Sequence, residues 1–374
     1  MTEHLDDHTF MCRAIDLGEL GRVTAPPNPW VGCIVVKEGK VVGEGFHEAP
    51  GKPHAEINAL QQAGDGAEGA TLYVTLEPCI HHGRTPPCVD ALLQSKVSRV
   101  VIGIEDPDGN VRGQGIAKLR EAGLEVDVGV AAEKVLESLI PYSYQRKTGK
   151  SYCLAKAAVS IDGRIAAADG TSQWITCTEA RADAHQLRAE SQAILIGSRT
   201  AVIDKPKLTV RDAPEMPRVQ PLRVVLDPSG SLRPPSPLLD LSLAPTLIAT
   251  TDQCPHEIQE LWTDTGVEVC LFSPSKHGYG IDIEEVLQFL ASRGVLQVLV
   301  EGGAKLLSHL TEEALINRLV LYVGPRILGK NGLPLFSELS YSSISEAPQL
   351  HLLSSKQIGD SVRLDYVVSV QPST

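Results

Sequence analysis

His54-Ala55-Glu56 and, further on, Thr75-Leu76-Glu77-Pro78-Cys79-Ile80-His81-His82-Gly83-Arg84-Thr85-Pro86-Pro87-Cys88 are the stretches on which the reading of this chain turns. His54 and Glu56 open a helix expected over residues 55–63, where Ile57 and Leu60 keep helical spacing and Gly64 stops it. Cys79 follows a strand expected over 71–75, and Cys88 opens the next helix after Pro86-Pro87. Two helix N-termini therefore converge on one place, and their partial positive charge favours thiolates. Strands over 31–36, 40–46, 99–104 and 124–128, with helices near 6–20 and before Gly123, complete an alternating α/β pattern: a sheet covered by helices.

The residue types define the chemistry. His54, Cys79 and Cys88 are three metal-ligating side chains, and Glu56 stands two positions from the first. Three protein ligands are the inventory of a catalytic zinc site, with the fourth tetrahedral position left for water. Zinc brings that water's pKa to about 7, and a carboxylate that need not touch the metal then carries protons. This is the logic of deaminases that attack an amine-bearing carbon of a nucleobase ring. Eight residues separate Cys79 from Cys88, where the commonest signature has two. His81 and His82 lie between them as rival ligands, or as substrate contacts. A fourth protein ligand would instead close the site and make it structural.

The whole chain bounds these readings. Its 374 residues suggest two or three domains, and 43% hydrophobic residues suffice for packed cores. The eight cysteines, behind a polar, acidic start, do not look like a secreted disulfide framework. Outside the metal set, Cys12, Cys33, Cys153, Cys177, Cys254 and Cys270 read as small buried apolar residues. A cytoplasmic protein with no membrane span is expected. The net charge of −12, with 4% aromatic residues, disfavours a polynucleotide partner. The one basic run is Arg146-Lys147-Thr148-Gly149-Lys150. A small nucleotide-like substrate fits better.

Residues 145–150 read as a polar linker, after which the pattern restarts. Strands are expected over 152–160, 193–197, 223–226, 246–250 and 295–300, and a helix over 179–189. Ile283, Val286, Leu287 and Leu290 form an i, i+3, i+4, i+7 stripe. Residues 233–237 are a Pro-rich surface loop, and no internal repeat is present. Glu301-Gly302-Gly303 joins a buried strand to a helix, where glycines let a backbone approach a phosphate or simply make a tight turn. On these residues alone the second half is an α/β domain without an assigned activity.

The chain resembles the bifunctional riboflavin-biosynthesis deaminase–reductase family over nearly its full length. In the first half the match rests on Pro27-Asn28-Pro29, Val31-Gly32-Cys33, His54-Ala55-Glu56 and the 75–88 stretch. In the second it rests on Lys156 with 160–164, Ser172-Gln173-Trp174-Ile175-Thr176, Leu187-Arg188-Ala189, Asp204 with 208–211, 223–227 and Glu301-Gly302-Gly303. The resemblance implies a cytidine-deaminase-like three-layer α/β/α domain over 1–145 and a dihydrofolate-reductase-like α/β domain over 146–374. It implies zinc-assisted deamination of 2,5-diamino-6-(5-phosphoribosylamino)pyrimidin-4-one, then NADPH-dependent reduction of the ribosyl group to ribityl, in a homo-oligomer.

Roles follow from the resemblance residue by residue. His54, Cys79 and Cys88 would bind zinc, and Glu56 would carry protons. Asn28 would hydrogen-bond the pyrimidine, and His47 and Arg84 would contact the substrate, Arg84 as a partner for its phosphate. Lys156, Ser172, Arg188, Arg211 and Glu301 would line the reductase substrate site, with Asp204 near the reacting sugar. Trp174, Thr200, Gly302 and Gly303 would face the cofactor. One departure stands out: the family often reads Asp-Pro-Asn-Pro where this chain has Asp106-Pro107-Asp108-Gly109. An amide donates hydrogen bonds, whereas an ionised carboxylate only accepts. Asp108 and Asn110 are therefore left out of the expected site.

Overall fold

The computed structural model describes residues 6–80, 87–109, 111–276 and 280–368. It divides into two compact units, Met1–Gly149 and Lys150–Thr374. The division falls four residues beyond the expected boundary at 145.

The first unit runs α1 (Asp7–Glu19), β1 (Gly32–Lys37), β2 (Lys40–Phe46), α2 (Ala55–Ala63), β3 (Thr71–Leu76), α3 (Cys88–Gln94), β4 (Arg99–Ile104), α4 (Gln114–Glu121), β5 (Glu125–Val128), α5 (Ala132–Ser138) and α6 (Ile140–Thr148). Its sheet has the order β2-β1-β3-β4-β5. β1 is antiparallel to β2 and β3, while β3, β4 and β5 run parallel.

Alternation along the strands sorts side chains into two layers. Cys33, Val35, Leu72, Val74, Val100 and Ile102 pack with Ala55 and Ala59 of α2, Val89 and Leu92 of α3, and Leu119 of α4. The opposite face meets α1 and α5. There a Cβ on Gly103 of β4 would lie 2.7 Å from Val135 of α5 and 3.4 Å from Met11 of α1. Asp6 caps α1 by accepting the Thr9 N–H, and Asp7 pins the helix to the sheet through Arg99 at 2.7 Å.

α2 lies very close on β2, which fixes the first ligand. A Cβ on Gly43 would stand 2.2 Å from the Ala59 carbonyl, and one on Gly45 would stand 2.5 Å from Asn58 Cβ. Only glycine permits that approach.

Residues 145–148, expected as linker, belong to α6. Gln145 and Lys147 are good helix formers, and Gly149 at φ 71° ends the helix with its N–H on the Gln145 carbonyl. The segment reads polar because residues 146–149 are exposed, not because it is unstructured.

The second unit contains β6 (Tyr152–Ser160), β7 (Arg164–Ala166), α7 (Thr178–Ala189), β8 (Ala193–Gly197), α8 (Ser198–Asp204), β9 (Leu222–Leu226), β10 (Thr246–Thr250), α9 (His256–Asp264), β11 (Glu268–Leu271), α10 (Ile283–Ser292), β12 (Gln297–Val300), α11 (Ala304–Glu312), β13 (Arg318–Gly324), β14 (Leu333–Pro334), β15 (Leu350–Ile358) and β16 (Ser361–Val368). Nine strands form one sheet in the order β11-β10-β9-β8-β12-β6-β13-β16-β15. β11 through β13 in that order are parallel, and the β16–β15 hairpin closes one edge antiparallel.

β12 sits between β6 and β8, so Glu301 emerges at the centre of the sheet and donates its N–H to the Leu195 carbonyl at 3.1 Å. The stripe Ile283, Val286, Leu287 and Leu290 is buried on the face of α10, as its spacing requires. All eight cysteines are free thiols. Cys12, Cys177 and Cys270, expected buried, are only half-buried. No described helix is long and apolar enough to cross a membrane.

Candidate active sites

In the first unit, His54 is the residue before α2, Cys79 follows β3, and Cys88 is the first residue of α3. Their ligand atoms all lie within 4.8 Å of one another. His54 Nδ1 is 3.1 Å from Cys88 Sγ and 3.6 Å from Cys79 Sγ. Tetrahedral zinc with Zn–S near 2.3 Å and Zn–N near 2.05 Å asks for an N–S separation of about 3.6 Å. The donor set therefore fits zinc in kind, with the His54–Cys79 separation matching and the His54–Cys88 separation of 3.1 Å somewhat shorter. Hydrogen bonding from Cys88, then from His54, draws the Cys79 thiol well below its ordinary pKa, and the Cys79 thiolate in turn drives Cys88 upward. A divalent cation removes that conflict.

Glu56 sits in the first turn of α2, 3% exposed, and burial raises its carboxyl pKa. It lines a cavity of about 500 Å³ together with His54, Cys79, Asn28 and His47. His47 Nδ1 donates to the Pro53 carbonyl at 3.1 Å, since a carbonyl only accepts. Its Nε2 must then accept from the Asn28 amide at 2.9 Å. That pairing turns the Asn28 amide so that its oxygen is the remaining group for a ring donor. Burial lowers the His47 pKa and so supports the neutral ring.

Arg84, His81, His82 and Asn110 lie outside the described residues. Asp108, left out of the expected site, lines the cavity with Tyr142 and Arg146. Glu77 is buried beneath it, and its carboxylate accepts the backbone N–H groups of Asp106, Gly113, Gly115 and Ile116 at 3.1, 2.9, 2.9 and 3.2 Å.

In the second unit, Lys156 on β6, Arg188 on α7 and Glu301 after β12 meet directly. Arg188 grips Glu301 with two bonds, Nε to Oε1 at 2.5 Å and Nη2 to Oε2 at 2.9 Å. Lys156 Nζ reaches Oε2 at 3.4 Å. Burial alone would raise the Glu301 pKa, but the charges of Arg188 and Lys156 and their hydrogen bonds outweigh it and hold the carboxyl far below the usual range. Arg188 Nη1 also donates to the Thr209 carbonyl at 3.0 Å.

The Arg211 N–H donates to His185 Nδ1 at 3.1 Å, so α7 fixes the 209–211 segment at two points. His185 was not singled out in the sequence. Thr200 Oγ1 faces Gly303, 3.6 Å from where a Cβ would sit. Ser172, Trp174 and Asp204 are exposed, and none of the described hydrogen bonds ties Ser172 or Asp204 to the Glu301 cluster. The Arg181 guanidinium lies over the Trp174 ring at 4.3 Å. Lys205 and Leu208, just past Asp204, hold left-handed backbone at φ 43° and 49°, a strain that non-glycine residues keep where surroundings impose it.

Comparison with known proteins separates the halves in the same way. Residues 5–104 match the cytidine and deoxycytidylate deaminase zinc-binding region, and residues 151–364 match the RibD C-terminal domain. Riboflavin biosynthesis protein RibD of Chlamydia pneumoniae is 48% identical over 364 residues, covering 97% of this chain and 96% of that protein. The chain belongs to the RibD family. A solved RibD from Acinetobacter baumannii superposes with a TM-score of 0.88 at 36% identity, covering 97% of this chain and 99% of that one. A Thermotoga maritima structure, described as a diaminohydroxyphosphoribosylaminopyrimidine deaminase/5-amino-6-(5-phosphoribosylamino)uracil reductase, gives 0.84 at 33%, covering 97% and 98%. Membership in the RibD family makes this a two-activity enzyme of riboflavin biosynthesis, a zinc-type deaminase joined to a reductase that uses a nicotinamide cofactor. The expected cytidine-deaminase-like and reductase folds are both present.

Proposed function

We propose that the first unit hydrolytically deaminates 2,5-diamino-6-(5-phosphoribosylamino)pyrimidin-4-one, and that the second reduces the ribosyl group of the product to ribityl with NADPH. The observation that carries the first step is the convergence of His54, Cys79 and Cys88 within 4.8 Å, with buried Glu56 in the same cavity. When bound, zinc supplies Lewis acidity that makes hydroxide available at neutral pH. Glu56 takes one proton of the attacking water and gives it to the ring nitrogen, then carries the second from the new hydroxyl to the departing amine. Water oxygen bonds to C2, the C2–N bond breaks, and ammonia leaves. A buried carboxyl with a raised pKa suits a group that must both take and give. Asn28, oriented by His47, holds the ring, and Arg84 is a further contact to the nucleotide.

For the second step, nicotinamide supplies hydride when bound, and the protein positions the sugar. Glu301 fixes Lys156 and Arg188, and Arg188 with His185 orders the segment that presents Arg211. Ser172, Asp204 and Arg211 are exposed, which supports assigning Ser172 and Arg211 to a phosphorylated sugar and Asp204 to the acid that serves its reacting carbon. Gly302 and Gly303 just before α11, Thr200 of α8 and Trp174 form the cofactor side. The free thiols fit a reducing cytoplasm.

Chelation tests the division of labour. Stripping the metal should abolish ammonia release from the diaminopyrimidinone while NADPH oxidation on the deaminated substrate persists. Ammonia release that survives complete metal removal would overturn the assignment.

A further inference from the structure

The deaminase cavity is lined by further polar groups that the proton chemistry of Glu56 does not use. Asp106, Asp108, Tyr142 and Arg146 line it together with His54 and Cys79. Arg146 lies on the exposed side of α6, yet its head is fixed from three directions. Its Nε faces Asp108 Oδ2 at 3.3 Å, its Nη1 donates to Gln145 Oε1 at 2.8 Å, and its Cζ lies 5.0 Å from the centroid of the Tyr142 ring. Tyr142 is itself 4% exposed, and its hydroxyl donates to Asp106 Oδ1 at 2.9 Å. Asp106 Oδ1 also accepts the Asp108 N–H at 2.9 Å. Asp106 therefore sets both the aromatic platform under Arg146 and the backbone of its counter-ion.

We propose that Arg146 is a specificity-determining residue of the deaminase, receiving the phosphate of the substrate in this cavity, with Asp108 as the counter-ion that holds it there between turnovers. The inference rests on the proposed substrate carrying a phosphate.

Three observations lead to it. A guanidinium has five N–H donors, so its contacts to Asp108 and Gln145 leave donors for an incoming anion. The pair is only partly buried, with side chains 34% and 26% exposed, so its own attraction is weak and a doubly charged phosphate competes with it effectively. The chain carries a net charge of −12, so a phosphate entering a cavity flanked by Asp106 and Asp108 needs a local cation. Lys52 is the other described cation of the cavity, but it stands exposed on the loop before His54. Arg146 is the one whose geometry is already set.

The test uses the full zinc-loaded chain, with R146A, R146K and K52A beside the wild type. Ammonia release is followed on the phosphorylated substrate and on its phosphate-free riboside, with zinc content as the check that the first unit is folded. KM for the phosphorylated substrate should rise at least tenfold relative to the riboside in R146A, with R146K intermediate. Inorganic phosphate, as a competitive inhibitor, should weaken by a similar factor in R146A. An equal change on both substrates, or a selective loss in K52A but not R146A, overturns the proposal. Wild-type chain that fails to deaminate the phosphorylated substrate at all contradicts the proposed function instead, so the two failures are distinguishable.

Discussion

Glu77 Oε1 accepts the Gly115 backbone N–H at 2.9 Å, and a Cβ on Gly115 would stand 2.2 Å from the Pro78 carbonyl. Two residues before a metal ligand, the chain is thus clamped to the segment that carries Asp106 and Asp108. One carboxylate satisfies four backbone donors across 106–116, so the segment leading to Cys79 and the Asp106–Asp108 lining of the cavity are set together.

This clamp predicts a stability effect with a functional signature. Glu77→Ala leaves four backbone N–H groups without their carboxylate and should cost about 3 kcal/mol. Gly115→Ala should cost about 2 kcal/mol by overpacking. Both should lower the urea midpoint for loss of ammonia-releasing activity. A midpoint equal to wild type in Glu77→Ala would contradict the clamp.

Glu56→Gln keeps the side chain's size and removes its proton chemistry. Zinc content should match wild type, while ammonia release falls by a factor of roughly 100 or more. Normal activity with normal zinc would remove Glu56 from the proton path.

Asp204→Asn should slow NADPH oxidation on the deaminated substrate and leave ammonia release at the wild-type rate. Asp204 belongs to the second unit and stands exposed at the end of α8. Loss of both activities in parallel would mean that it acts on folding rather than on the sugar.

The Glu301 and His185 contacts predict an acid response. Burial, then the nearby charges of Arg188 and Arg211, lowers the His185 pKa from 6.5 to about 4. Below pH 6.5 the unfolded chain takes up a proton that the folded chain refuses, so stability present above 6.5 is lost as the pH falls toward 4. His185→Gln should flatten that slope, read as urea midpoints for loss of NADPH oxidation. Glu301→Ala strands two cations and should cost on the order of 3 kcal/mol at neutral pH. A wild-type slope in His185→Gln, or an unchanged midpoint in Glu301→Ala, would show that these contacts hold nothing together.

Local pattern made much of the fold legible. Strands such as Lys40–Phe46 and Arg99–Ile104, and the α10 stripe, lie where period and turn residues put them: Arg99–Ile104 is buried along nearly its whole length, and α10 buries one face. The β15–β16 hairpin was not read: β15 is exposed along nearly its whole length and carries no alternation of burial. In the first site, His54, Cys79 and Cys88 were visible because their chemistry is carried by residue type. Glu77, His185 and Arg146 were not, because their roles rest on backbone partners or on charges remote in sequence. Glu77 and Gly115 are 38 positions apart, and so are Asp108 and Arg146.

The most direct test of two consecutive activities in one chain is a coupled assay on the purified, zinc-loaded protein with the diaminopyrimidinone ribosyl phosphate, following ammonia and NADPH together. Ammonia should appear first, and NADPH oxidation should follow with a lag and reach one equivalent per ammonia released. NADPH oxidation that precedes ammonia, or ammonia without any oxidation, would contradict the account.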